Sequence, residues 1–185
     1  INFLSLLVSL GLFAYLYTLS IQPVKRSKTH GEDAWKQCKT LRVVASAFEF
    51  VSVVNMILWI WFPLPFFESC TISSTPWIGI LLSICILVPC AVIMGLGIRD
   101  AGSESLEPSK ETEMYGGIYD YIRHPQALGE FPIWIALAFM FNSWFLVAVC
   151  TLFVVAYLPV MVHYEEKDLV RRFGEKYVRY QERTG

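Results

Sequence analysis

Trp77-Ile-Gly-Ile-Leu-Leu-Ser-Ile-Cys-Ile-Leu-Val-Pro-Cys-Ala-Val-Ile-Met-Gly-Leu-Gly-Ile98 contains no charged residue. A helix needs roughly 20 mostly apolar residues to cross the hydrocarbon layer of a bilayer, and this stretch has the length and the composition. Four more such stretches lie to either side: Ile1–Ile21, Leu41–Phe62 (closed by Pro63 and Pro65), Ala127–Phe141 and Trp144–His163. Only Asn142 and Ser143 separate the last two. So short a link forces an antiparallel helical hairpin. Ala127–Phe141 is short for a span, so it is expected to start below the membrane surface or to be shielded by protein. Ile1–Ile21 has no basic segment before it and is long enough to span, so it reads as a first membrane helix rather than a signal peptide. The expected fold is all-α, a polytopic membrane protein with five transmembrane helices.

The composition agrees. Of 185 residues, 55% are hydrophobic and 17% charged, against about a quarter charged in a soluble domain. Net charge is −1, so no overall basic field draws in nucleic acid, and none is expected as a partner. Among five cysteines, Cys85, Cys90 and Cys150 sit inside apolar runs and read as small apolar fillers. No spacing suggests zinc or a disulfide framework, and no metal is expected.

Orientation follows from loop charge, because cytosolic loops carry the excess of Lys and Arg. The first loop holds Lys25, Arg26, Lys28, Lys36 and Lys39, the second (63–76) has no Lys or Arg, and the tail carries Lys167, Arg171, Arg172, Lys176, Arg179 and Arg183. With five crossings this places the N-terminus outside and the C-terminus in the cytosol. Trp59, Trp61 and Trp77 then fall at the outer interface, where amphipathic rings are favoured. A basic cytosolic surface fits a prokaryotic plasma membrane or an endoplasmic reticulum, and the short chain favours the prokaryotic membrane.

The chain divides into three spans (1–98) and a functional part (99–185). The latter comprises a cytosolic loop 99–126, the hairpin 127–163 and an amphipathic tail 164–185. In the tail, Leu169, Phe173, Tyr177 and Tyr180 recur at helical spacing, with Gly174 as a break.

Three groups of residues carry chemistry. Arg123-His124-Pro125 precedes the fourth span. Proline at the first helical position suits helix entrance, and the free amides of that turn can seat a carboxylate. An arginine and a histidine that merely anchor the helix at the interface explain the triplet equally well. Glu165 and Glu166 follow the fifth span. The tight hairpin makes the start of one helix and the end of the other neighbours, so His124 and Glu165 are expected to lie close together. Tyr115, Tyr119, Tyr121 and Tyr164 flank these acids, and rings beside a carboxylate suit a cation such as a sulfonium. Interfacial tyrosines and solvated acids are the plain alternative. Glu49 lies about 12 Å into the second span, a costly position and a functional candidate; pairing with Arg99 is the structural alternative. Gly95 and Ala91 are expected to let helices pack closely, and Pro89, Pro132 and Pro159 to kink their spans.

The ordered set Gly117-Ile118-Tyr119-Asp120-Tyr121-Ile122-Arg123-His124-Pro125-Gln126, hairpin, Glu165-Glu166, Leu169, Phe173-Gly174, Tyr177 and Tyr180 resembles the isoprenylcysteine carboxyl methyltransferase family over roughly the last 75 residues. The resemblance implies S-adenosyl-L-methionine as cofactor, enclosed by loop, hairpin and tail. It further implies a prenylated, lipid-like acceptor that arrives from the bilayer. Met114, Tyr119, His124, Pro125, Gln126 and Glu165 would hold the cofactor, with Glu165 the essential acid beside the sulfonium. Two positions depart from the family pattern. Met161 stands where relatives carry a substrate-binding arginine, and Ala127 where they tend to carry an aromatic. Arg99, as a catalytic group, or Arg171, with Glu49 at the substrate, are the candidates to replace it. A phospholipid or thiol methyltransferase is the nearest rival, a sterol reductase a weaker one. A membrane scaffold or transporter is the rival without catalysis.

Overall fold

The computed structural model describes residues 1–111 and 113–185. Among them the chain forms α1 (Asn2–Ser20), α2 (Pro23–His30), α3 (Asp33–Leu58), α4 (Pro76–Ala101), α5 (Pro125–Met140), α6 (Trp144–Phe173) and α7 (Glu175–Arg183). Three short 3-10 turns join them, and no strand occurs among the described residues beyond one isolated bridge, Thr71 with Ser143.

Four segments are long and apolar enough to cross a membrane: α1, α3, α4 with its 3-10 extension to Ser105, and α6. The sequence led us to expect five. The remaining one, α5, has 16 residues and reaches only about 24 Å, short of the ~30 Å hydrocarbon layer. Large apolar side chains such as Leu81, Leu152 and Val155 point outward from these helices, which suits a lipid rather than an aqueous surround.

The first loop is shorter than expected. α3 starts at Asp33 rather than near Leu41, because Ala34 and Cys38 continue the buried stripe of Ala45 at helical spacing. α2 occupies most of the rest. At the other end, α6 does not stop at His163 but runs through the paired glutamates to Phe173. Gly174, at φ +58°, ends it and turns the chain into α7. Pro89, Pro132 and Pro159 lie inside α4, α5 and α6, each of which runs through its proline as one helix.

α1 packs on α3, α4 on α5, and α5 on α6, whereas α3 hardly touches α4 or α5. Glycine sets the α4–α5 distance, but not the glycine expected. Gly95 faces open space. Gly129 of α5 instead lies against the Cys90–Met94 turn, where an added Cβ would stand 2.6 Å from the Cys90 carbonyl oxygen. Gly79 meets the Phe139 carbonyl in the same way. Gly129→Ala should push the two helices apart and cost about 1–3 kcal/mol, as overpacked cores do. A thermal unfolding curve in detergent tests this, and an unchanged midpoint would mean that the seam yields freely.

The hairpin turn is tied from outside. Asn142, at φ +54°, accepts from the Ser73 amide at 3.1 Å and donates to its carbonyl at 2.9 Å. Ser143 caps α6 by accepting from the Leu146 amide. At this end Trp61, Trp77 and Trp144 are exposed. Trp59, expected with them at the interface, is instead buried, stacked on Phe145 with ring centroids 5.2 Å apart. Two positions along a helix rotate the side chain from the outer face to the inner one.

Candidate functional site

The opposite end of the bundle holds the candidate site. The C-terminal ends of α1, α4 and α6 meet the N-terminal parts of α3 and α5 there, and residues 102–111 and 113–124 of the connection, with α7, border them.

His124 is the N-cap residue of α5, and Glu165 lies on α6. The ring Nδ1 of His124 is 2.9 Å from Glu165 Oε2, and Nε2 is 3.1 Å from Glu166 Oε1. A histidine with a carboxylate oxygen at each nitrogen satisfies both only when both nitrogens carry protons. Burial by itself lowers the His124 pKa, but the hydrogen bonds and charges of Glu165 and Glu166 prevail and raise it above its ordinary value. Because the folded pKa is raised, this contribution to stability is fully present below the unfolded value of about 6.5 and disappears as pH rises through the folded value. Detergent-solubilised protein should therefore melt at lower temperature as pH climbs above about 6.5, and His124→Gln should flatten that slope. The same slope in the variant would sink the assignment.

Glu166 is held through both oxygens: Arg123 donates from Nη1 to Oε1 at 2.9 Å and Gln181 from Nε2 to Oε2 at 2.9 Å. Glu165 is engaged only through Oε2 among the described residues. The paired acids thus differ in task. Glu166 knits loop to tail, and Glu165 keeps an oxygen for the pocket.

That pocket spans about 1050 Å³ of empty space, part of it open to solvent. Met114, Tyr115, Tyr119, His124, Gln126 and Glu165 line it, together with Leu169, Phe173, Tyr177 and Tyr180. The apolar stripe of the tail therefore faces the pocket rather than a membrane surface. Gln126 Nε2 donates to the Tyr119 hydroxyl and to Ser105 Oγ, both at 2.9 Å, and lies 3.3 Å from the Gly97 carbonyl. The Tyr180 hydroxyl donates to the Tyr119 carbonyl at 2.6 Å. Burial pushes the Tyr115 and Tyr119 phenols up, so both stay protonated and neutral. The buried Tyr177 hydroxyl has no partner among the described residues. An unpaired hydroxyl is costly to bury unless a ligand completes it.

Several expected residues lie elsewhere. Arg99 is 69% exposed and bonds its neighbour Asp100 at 2.7 Å, so it neither pairs with Glu49 nor faces the pocket. Arg171 sits 3.5 Å from Asp168, turned from the pocket by one helical step. Glu49 does not line the pocket; it lies within electrostatic reach of Glu130 across the bundle. Pro125 is buried against Gly97 at the first position of α5.

Other residues had no distinctive signal. Glu104 is buried and paired with Arg172 at 2.7 Å; the Arg172 guanidinium also lies over Trp35. Asp168, buried one turn after Glu165, accepts from the amides of Val24 at 2.9 Å and Lys25 at 2.8 Å. Arg42 reaches the pocket from α3. Each of these contacts joins segments more than 60 positions apart, and no local pattern announces such pairs.

No curated protein and no solved structure matches the chain. Residues 74–176 match the family described as Phospholipid methyltransferase. The match starts before α4 and runs into α7, covering most of the pocket walls, including the His124–Glu165 contact. With more than half of its length matched, this membrane-helical chain belongs to the phospholipid methyltransferase family, the same family type as the isoprenylcysteine carboxyl methyltransferases that its motifs resemble.

Proposed function

We propose that the chain transfers a methyl group from S-adenosyl-L-methionine to an acceptor dissolved in the membrane. The observation that carries this reading is the Glu165 carboxylate. It is held by His124 at 2.9 Å, keeps one oxygen unengaged, and lines a pocket ringed by tyrosines in a methyltransferase-family chain. A carboxylate with aromatic faces suits a sulfonium and an ammonium. The unpartnered Tyr177 hydroxyl and the Gln126–Tyr119 pair add polar groups for a nucleoside.

The cofactor supplies an electrophilic methyl group. The residues position and desolvate. Glu165 neutralises the cation and fixes its direction, while α7 and the Tyr119 turn exclude water from the cytosolic side. Methyl transfer is an in-line displacement, so alignment and loss of the nucleophile's water supply much of the rate. A carboxylate acceptor is ionised at neutral pH and needs no base.

For the acceptor we propose an isoprenylcysteine-type carboxylate, in line with the sequence resemblance. The family description favours a phospholipid as the second reading. We further propose that α5 serves as a partly sunken fifth span screened by α4 and α6, with the N-terminus outside and the pocket at the cytosolic face.

Calorimetry of the detergent-purified protein with S-adenosylhomocysteine tests the cofactor site, and absence of binding would leave a scaffold role in its place. Radiolabelled cofactor offered with N-acetyl-S-farnesylcysteine or with phosphatidylethanolamine separates the two acceptor readings.

A further inference from the structure

The pocket has four cationic side chains on its wall, and three of them are neutralised at contact range. Arg123 meets Glu166 at 2.9 Å, His124 meets Glu165 and Glu166, and Arg172 meets Glu104 at 2.7 Å. Arg42 is different. Its Nη1 donates to the carbonyl oxygens of Glu104 at 3.0 Å and Ser105 at 2.7 Å. No carboxylate lies within ion-pair distance of it among the described residues. Carbonyls solvate a guanidinium but leave its full charge in place, and arginine does not shed its proton.

Its surroundings direct that charge inward. Arg42 lines the same pocket as Tyr17, Ile21, Ala127 and Met161, residues contributed by α1 and its C-cap, α5 and α6. α3 packs on α1 and α2 but hardly touches α4 or α5, which leaves a seam between α3 and α5. Glu165 and Glu130 are within electrostatic reach of Arg42 without forming a contact ion pair with it, and Glu165, the acid proposed to face the cofactor's cation, shares its pocket.

Resting on the methyl-transfer reading of this pocket, we propose that Arg42 is the specificity-determining residue for the acceptor: it holds an oxyanion, carboxylate or phosphodiester, of a lipid-like molecule that enters through the seam between α3 and α5. Neither Arg99 nor Arg171 can do this, because each is bound to an aspartate and lies off the pocket. The planar fork of Arg42 suits two-point contact with either oxyanion.

The test compares matched ligands that differ only in charge. N-acetyl-S-farnesylcysteine is compared with its carboxamide, and phosphatidylmethanol, a phosphodiester, with its neutral methyl phosphotriester, each titrated in mixed micelles against the full chain. The wild-type protein should bind one anionic member at least about tenfold more tightly than its neutral partner, as a charge-assisted bond implies. The pair that shows the preference identifies carboxylate or phosphate. Arg42→Met should abolish the preference, and Arg42→Lys should retain part of it. If Arg42 only pinned the 102–105 turn, Arg42→Met would weaken both members of a pair alike and leave their ratio unchanged. A ratio that survives Arg42→Met, or equal or absent binding of both members in the wild type, overturns the proposal. S-adenosylhomocysteine binding is measured on the same samples. Its absence in the wild type would remove the methyl-transfer reading, whereas its persistence with an unchanged anion ratio would remove only the role of Arg42.

Discussion

Glu165→Gln should lower methyl transfer by about a hundredfold, equivalent to about 3 kcal/mol of lost interaction with a cation, while the protein still folds. The amide keeps the size of the carboxylate and can still accept from His124 Nδ1, now 2.9 Å from Glu165 Oε2. It cannot neutralise a sulfonium or an ammonium. The second carboxylate, Glu166, continues to hold His124, Arg123 and Gln181, so the junction of loop, α6 and α7 remains tied. The decisive measurement is single-turnover transfer of labelled methyl at saturating cofactor, with a melting curve on the same sample. Unchanged turnover would remove Glu165 from the chemistry. A collapsed melting curve would assign it to folding instead.

The largest loss of stability is expected from Asp168→Ala. Asp168 is 3% exposed, and its two carboxylate oxygens accept from the first free amides of α2, Val24 at 2.9 Å and Lys25 at 2.8 Å. The start of a helix has amides with no partner of their own and carries partial positive charge. α6 thereby supplies the cap that α2 lacks, since Gln22, its N-cap residue, makes no side-chain cap bond. Removal leaves two part-buried amide donors without this acceptor and strips Arg171 of its partner. Charge-assisted bonds of this kind contribute about 1.5–3 kcal/mol each, so a loss of about 3 kcal/mol is expected even after local relaxation. Asp168→Asn, which keeps one acceptor, should fall between. Denaturant titration in a fixed detergent measures the order, and equal stability of all three proteins would refute the capping role.

Much of this protein is readable along the chain because a bilayer imposes local rules. A window of apolar residues long enough to span declares itself without reference to any partner, and a two-residue link dictates which helix ends are neighbours. For that reason the nearness of His124 and Glu165 follows from Asn142 and Ser143 alone. Helix ends were less legible. α3 extends back to Asp33 because Ala34 and Cys38 find a buried face, and α6 runs past the membrane boundary because nothing before Gly174 breaks it. Hydropathy marks where lipid stops, not where a helix does.

The sequence by itself determined that the chain is a bundle of apolar helices, that its charges gather at one end, and that a histidine and a pair of glutamates meet there. It also carried, in the order of its motif residues, the likeness to a methyltransferase family. Tertiary structure alone decided which glutamate faces the pocket, that Glu104 is buried beneath Arg172, that Asp168 caps α2, and that Arg42 rather than Arg99 or Arg171 brings a cation without a contact ion pair to the wall. The physical reason is range. Hydropathy and helix periodicity act over a few residues and can be read from them, whereas burial and ion pairing arise when segments some 60 to 140 positions apart come into contact and share the same few ångströms.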